Sequence, residues 1–420
     1  MKNLRLFSLL LMLILLLMLI AGCSRKSAGP DDDFNLRELA TPAQPGSNVP
    51  NLFAATDGRI YLSWVERTGD DQHTLFYSIY NGGRWSAPQT VAAGQNWFVN
   101  WADFPSLTMS AEQTMAAHWL KKSAESTYAY DVNIALSTDA GKNWRDAMTP
   151  HRDGTPTEHG FVSMLPWPDD RLFAVWLDGR NFANNTDGHS AEPDEKAEMT
   201  LRFAALDTSG QLHDETILDA RVCECCQTDA AATTNGAAVV YRDRSLHEIR
   251  DISIVRYQNG NWSEPRLVHA DNWEHNGCPV NGPAIAANGD FVAVAWYTAA
   301  QDSPHVRVAF SRDEGATFGP PLEVGDREPM GRVDLILLPD STALVSWLEQ
   351  TDNNGDIRLR RMRADGWRGK SFTLAQSSTK RASGFPRMAR SDREIVFAWT
   401  QPDSHSTSVR TAVAKLGNFK

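Results

Sequence analysis

Seven short segments recur along this chain at nearly constant spacing, and each closes on a large ring. Their markers are Trp64, Trp119, Trp176, Tyr241, Trp296, Trp347 and Trp399, separated by 55, 57, 65, 55, 51 and 52 residues. The residues before each ring are mostly aliphatic, as in Leu62-Ser63-Trp64-Val65 and Val396-Phe397-Ala398-Trp399. Such runs read as buried strands. An earlier strand precedes each one, at Pro50–Ala55, Phe104–Met109, Gly160–Leu165, Thr228–Thr233, Gly282–Ala287, Arg332–Leu337 and Phe385–Ala389. The first six are followed by a third strand and then a fourth. Trp85-Ser86-Ala87-Pro88 and Trp262-Ser263-Glu264-Pro265 open two of those fourth strands with nearly the same phrase.

A period near 50 residues with four strands per unit predicts an all-β fold, a seven-bladed β-propeller. The seventh unit shows only three strands, Phe385–Ala389, Glu394–Trp399 and Ser408–Lys415. Asn35–Thr41 supplies the missing outer strand, so the ring closes without an open sheet edge. The body, residues 34–420, is therefore a single domain despite its length.

Two further phrases carry a resemblance. Ser137-Thr138-Asp139-Ala140-Gly141-Lys142-Asn143-Trp144 and Ser311-Arg312-Asp313-Glu314-Gly315-Ala316-Thr317-Phe318 match the Asp-box, S-x-D-x-G-x-x-W, the second with Phe for Trp. Each lies between the third and fourth strands of its unit. Over roughly residues 45–416 the chain resembles the sialidase-like BNR/Asp-box propellers. In that family the boxes sit opposite the active face, so Asp139 and Asp313 are expected to be structural. Sialidase propellers have six blades, which makes six the alternative count. The resemblance also implies a three-arginine carboxylate clamp, an Asp and a Tyr–Glu pair. Arg180, Arg242 and Arg332 fall on three blades and are candidates for the clamp, with Asp178 or Asp243 as the acid. The early Arg-Ile-Pro phrase of sialidases is replaced here by Asn48-Val49-Pro50, and no Tyr–Glu pair stands in the late blades.

Loops leading into first strands and leaving second strands share one rim. Asp103, Glu158, His159, Arg332, Glu66, Lys121, Asp178, Arg180, Arg242, Asp243 and Glu349 are thus expected there, with Arg180, Arg242, Arg332, Asp178, Asp243 and His159 as ligand-binding candidates. Gly94–Asp103 brings Trp97, Phe98 and Trp101 to the same mouth, either to stack on a sugar or to plug it. Asn181–Glu198 reads as a polar lid or a disordered insertion. His118 reads as a packed strand histidine.

Cys223, Cys225, Cys226 and Cys278 lead into the fourth and fifth units, which the repeat makes neighbours. Two readings are open: two disulfides, such as Cys223 with Cys226 and Cys225 with Cys278, or four soft ligands for Cu(I) or zinc with His275 or His159. An oxidising compartment favours the first.

The compartment is read from the leader. Lys2 and Arg5 precede the apolar run Leu9–Ile20, and Leu19-Ile20-Ala21-Gly22-Cys23 resembles a lipobox. Residues 1–22 then form a lipoprotein signal peptide, Cys23 is the acylated residue, and residues 23–33 are a polar tether. The resemblance implies a bacterial envelope lipoprotein, lipid-anchored to the outer membrane and facing the periplasm. The formal charge of -11 argues against nucleic acid. The expected function is binding of a glycan, peptide or envelope protein at the rim. The alternatives are exo-α-sialidase-type hydrolysis and thiolate copper or zinc binding.

Overall fold

The computed structural model describes residues 35–110, 113–184, 198–352 and 354–419. The leader, Cys23 and the tether lie outside the described residues, as does most of the Asn181–Glu198 insertion. The fold is a seven-bladed β-propeller; the six-bladed alternative is not realised. The first strands of blades one to seven are Ser47–Ala54, Ser106–Met109, His159–Trp167, Asp229–Thr233, Ala284–Asn288, Pro329–Leu337 and Arg387–Arg390. All seven ring markers fall on second strands and all are buried. Each presents one face to the blade before and one to the blade after, so apolar residues fill both faces instead of alternating with polar ones.

Ring closure follows the expected route. Arg37–Leu39 pairs antiparallel with Thr407–Lys415, in register Arg37 to Val413 and Leu39 to Thr411. Leu39 and Ala43 are buried in a cluster shared by the first and last blades.

Neighbouring first strands are also tied through side chains. Asp103 accepts from Phe161 N at 2.8 Å, Asp229 from Ile285 N at 2.8 Å, Asn281 from Arg332 N at 2.8 Å and Asp334 from Met388 N at 2.6 Å. Each bond runs from one blade to the next. Glycines leave room for this approach. A Cβ on Gly160 would meet Asp103 Oδ2 at 2.0 Å, and one on Gly331 would meet Asn281 Oδ1 at 2.2 Å.

Both Asp-boxes form the same turn. The Ser137 hydroxyl donates to Asp139 at 2.8 Å and accepts from Gly141 N at 2.9 Å; Ser311 repeats this with Asp313 at 2.6 Å and Gly315 N at 2.8 Å. The glycines take φ of +83° and +81°, which the turn requires. Both boxes follow a third strand, on the face opposite the rim.

Candidate functional site

Several rim acids have a local task. A residue two positions after a strand tryptophan lies on the same face. Trp64 Nε1 donates to Glu66 at 2.7 Å, Trp176 to Asp178 at 2.9 Å and Trp347 to Glu349 at 3.3 Å. These carboxylates satisfy buried indole N–H groups. The Trp-x-acid spacing was visible in the sequence and is the signal for this role.

The guanidinium groups of the three candidate arginines share no partner. Arg242 is buried and donates to the carbonyls of Asn281, Arg250 and Tyr297 at 2.9, 2.5 and 2.7 Å, with its guanidinium over Trp273. Arg332 donates to Ser383 Oγ and to the carbonyls of Lys380 and Gly384, and lies over Trp101; burial lowers its pKa to about 10. Each bridges elements of adjoining blades. Arg180 instead grips Asp178 at 2.7 and 2.6 Å. Asp243 accepts from Arg244 N at 2.7 Å and from Ser253, and sits in the turn after the second strand of blade four.

His159 is buried beside Asp178 and stacks on His151, ring centroids 3.7 Å apart. Asp153 lies 3.3 Å from His159 Nε2 and 3.4 Å from Arg180. The rings of the Gly94–Asp103 loop all pack on protein: Trp97 on Trp119, Phe98 on Tyr130 and Trp101 on Phe385. His118 is a buried strand residue that pairs with Ser106, its pKa lowered to about 3 by burial.

Below these rings the Gln227 side chain reaches across the channel. Gln227 donates to Ala102 O at 2.6 Å and accepts from Gly282 N at 2.9 Å, bracing blade four against blades two and five. Beneath it runs a cavity of about 410 Å³ whose lining reaches Asn288, Leu338 and Arg390 on the Asp-box face.

On the rim side lies a constellation that the sequence reading did not assemble. Tyr130 Oη donates to Glu158 Oε1 at 2.5 Å and lies 3.4 Å from Asp103 Oδ2. Glu158 and Asp103 were recognised as rim acids; Tyr130 was missed because it opens a third strand, 28 residues from Glu158. Burial raises the Glu158 carboxyl to about 8 against the Tyr130 bond, with Asp103, Cys278 and Glu224 adding to the rise. Burial raises Asp103 to about 7, against bonds from Phe161 N and Tyr130. Both carboxyls are therefore proton donors near neutrality.

Raised carboxyl values bind protons in the folded state that the unfolded chain has released. Stability from this pair is full below about pH 4 and falls as pH rises toward 7–8. This pair pulls the melting temperature down between pH 5 and pH 8, while the buried His118 and His151 act in the opposite direction below about pH 6.5. Asp103→Asn should flatten that slope, by on the order of a few kcal/mol across the window. An unchanged slope in thermal melts of that variant would contradict the assignment.

The cysteines depart from expectation. The disulfides Cys223 with Cys226 and Cys225 with Cys278 are not formed; all four thiols are free. Cys223 and Cys226 Sγ atoms are 2.8 Å apart and Cys223 and Cys225 are 4.0 Å apart, well beyond a covalent bond of about 2.05 Å. The sulphurs instead form a hydrogen-bonded cluster against Arg250, whose guanidinium donates to Cys223 at 3.3 Å, to Glu224 at 3.0 Å and to Glu248 at 2.8 Å. Cys225 and Cys278 face each other across the blade four–five seam, and each shifts the other's thiol, Cys225 upward and Cys278 downward.

No protein-family model matches the chain, and no curated protein matches it by sequence. Solved structures do. A protein of unknown function from Dyadobacter fermentans is 12% identical, with TM-score 0.52, over 90% of this chain and 98% of its own. An α-L-arabinanase from Penicillium chrysogenum, solved with arabinobiose, is 12% identical, with TM-score 0.50, over 92% and 99%. An intramolecular trans-sialidase from Ruminococcus gnavus is 12% identical, with TM-score 0.49, over 89% and 95%. The likeness is one of fold.

Proposed function

We propose that this protein is a cell-envelope propeller, lipid-anchored through Cys23 at the outer membrane, that binds a hydroxyl-rich ligand at its rim. A glycan is the first candidate; a peptide or envelope protein is the alternative occupant. The observation that carries the reading is the Tyr130–Glu158–Asp103 constellation, with Phe98 stacked on Tyr130 at 4.0 Å. Protonated carboxyls can both donate to and accept from sugar hydroxyls, and their burial strengthens each bond. Binding should weaken as pH rises through about 8, where Glu158 loses its proton.

A second reading is glycoside hydrolysis. It is favoured by the 2.5 Å Tyr130–Glu158 bond, because a carboxyl held protonated near pH 7 suits a general acid. Against the sialidase form, the guanidinium groups of Arg242 and Arg332 are engaged by main-chain carbonyls. Screening residues 34–420 against sialosides and arabinan and other polysaccharide fragments separates the two readings. Binding without turnover supports the first; turnover abolished by Glu158→Gln supports the second. The anchor is tested by palmitate labelling of the full chain, expected to disappear in Cys23→Ser.

A further inference from the structure

The four thiols of blades four and five have no place in the rim-binding reading. Val222 N donates to Met199 O at 3.0 Å and Cys223 N to Arg242 O at 3.0 Å, which pins the start of the Cys223–Cys226 turn. Glu224 points away from the sulphurs, to Arg244 and Arg250. The three neighbouring cysteines therefore turn their sulphurs inward, all within 4.8 Å of one another. Cys223 and Cys226 are buried, while Cys225 is half-buried and Cys278, which faces it across the seam and perturbs its thiol, is exposed. The site thus has a closed floor and an open lip.

Three sulphurs within about 4–5 Å of one another can share one ion at metal–sulphur distances of about 2.3 Å with small side-chain adjustments. Hard cations prefer oxygen, so an all-sulphur set selects a soft or borderline ion. A bare cluster of thiolates would carry uncompensated negative charge. Arg250 lies in contact with Cys223 and supplies a fixed positive charge beside the sulphurs. The Asp131–His151–His159 group, by contrast, is a stacked pair with its ring nitrogens distributed among three carboxylates and a main-chain oxygen. Its donor atoms converge as closely, within 4.8 Å, but they are nitrogen and oxygen, and the ring nitrogens already face Asp131, Asp153, Asp178 and the Thr157 carbonyl.

We infer that Cys223, Cys225 and Cys226, with Cys278 as a fourth ligand at the lip, form a binding site for one thiophilic d¹⁰ ion, Cu(I) or Zn²⁺. Binding displaces the thiol protons and ties blade four to blade five. With Cys278 engaged the site offers the four ligands that Zn²⁺ takes; the three of the turn alone suffice for Cu(I). The exposed position of Cys278 makes it the route by which the ion enters and leaves.

The experiment uses the full chain in detergent, reduced and freed of metal without oxygen. Zn²⁺ and Cu(I) are titrated separately against chromophoric chelators, with thiols counted by alkylation before and after. One equivalent of at least one ion should bind and protect three or four thiols. Cys225→Ser and Cys226→Ser should each weaken binding at least about 100-fold, exceeding the usual loss for an outer-shell partner. Cys278→Ser should weaken Zn²⁺ more than Cu(I). Cys23→Ser should bind like the parent. If Cys226→Ser fails to fold, the half-buried Cys225→Ser and the parent stoichiometry still decide the matter. Parent protein with four alkylatable thiols that takes up neither ion overturns the inference. So does binding that survives both turn variants. Because neither measurement involves a glycan, failure here leaves the rim reading standing, and the reverse also holds.

Discussion

Removing residues 24–43 should lower the melting temperature by several degrees, while removing residues 24–33 should leave it unchanged. The longer deletion strips Arg37–Leu39 from the outer edge of blade seven. It also exposes the side of the cluster that Leu39 and Ala43 cover. Burial of one leucine is worth about 1.5–3 kcal/mol, and the unpaired main-chain groups of the last strand add to the loss. The salt bridge of Arg410 with Glu38 disappears too, although an exposed pair contributes little. The freed strand Thr407–Lys415 also becomes an open edge, so the truncated protein should self-associate. Thermal melts with light scattering measure both effects. Equal melting temperatures for the two truncations would show that the terminal strand does not close the ring.

Gly282→Ala should be the most damaging single methyl addition near the channel. The new Cβ would lie 2.1 Å from Gln227 O and 2.7 Å from Gln227 C and N. These are main-chain atoms at the plug itself, so no flexible side chain can move aside. The bond from Gly282 N to Gln227 breaks when the strands separate. A cost of about 3 kcal/mol or more is expected, at the upper end for overpacking. Gly417→Ala is the matched control, because its added Cβ meets nothing within 4 Å. Denaturant unfolding of the two variants should differ clearly. Equal midpoints would remove Gln227 from its bracing role.

The architecture was legible because one strand per blade is buried on both faces and ends in a ring. That repeats a strong local pattern seven times, and the Asp-box phrases fix the turns opposite. The terminal closure was legible from what the seventh unit lacked. Site chemistry was less so. Strand order places Arg242 and Arg332 at the rim but does not say which way they point. Arg332 has φ of +53° at a bulge in its first strand, and its side chain runs to the Lys380–Gly384 segment. Glu66, Asp178 and Glu349 looked like free rim acids, yet each sits two residues past a tryptophan whose N–H it accepts. The disulfides were expected from compartment and even number alone. Neither argument contains the geometry that sets Arg250 among the sulphurs. Tyr130 and Glu158 are brought together by a parallel bridge between two blades, a contact with no local sequence pattern.

We place ligand binding at the rim around Glu158. This placement is tested most directly by titrating residues 34–420 with the tightest oligosaccharide from a glycan screen, using the parent protein, Glu158→Ala and Asp139→Asn. Glu158→Ala should weaken binding about 10- to 100-fold, the loss expected for a buried hydrogen-bonding group. Asp139→Asn, at the opposite face, should bind like the parent. Parent-like affinity in Glu158→Ala, or a loss confined to Asp139→Asn, would contradict the account.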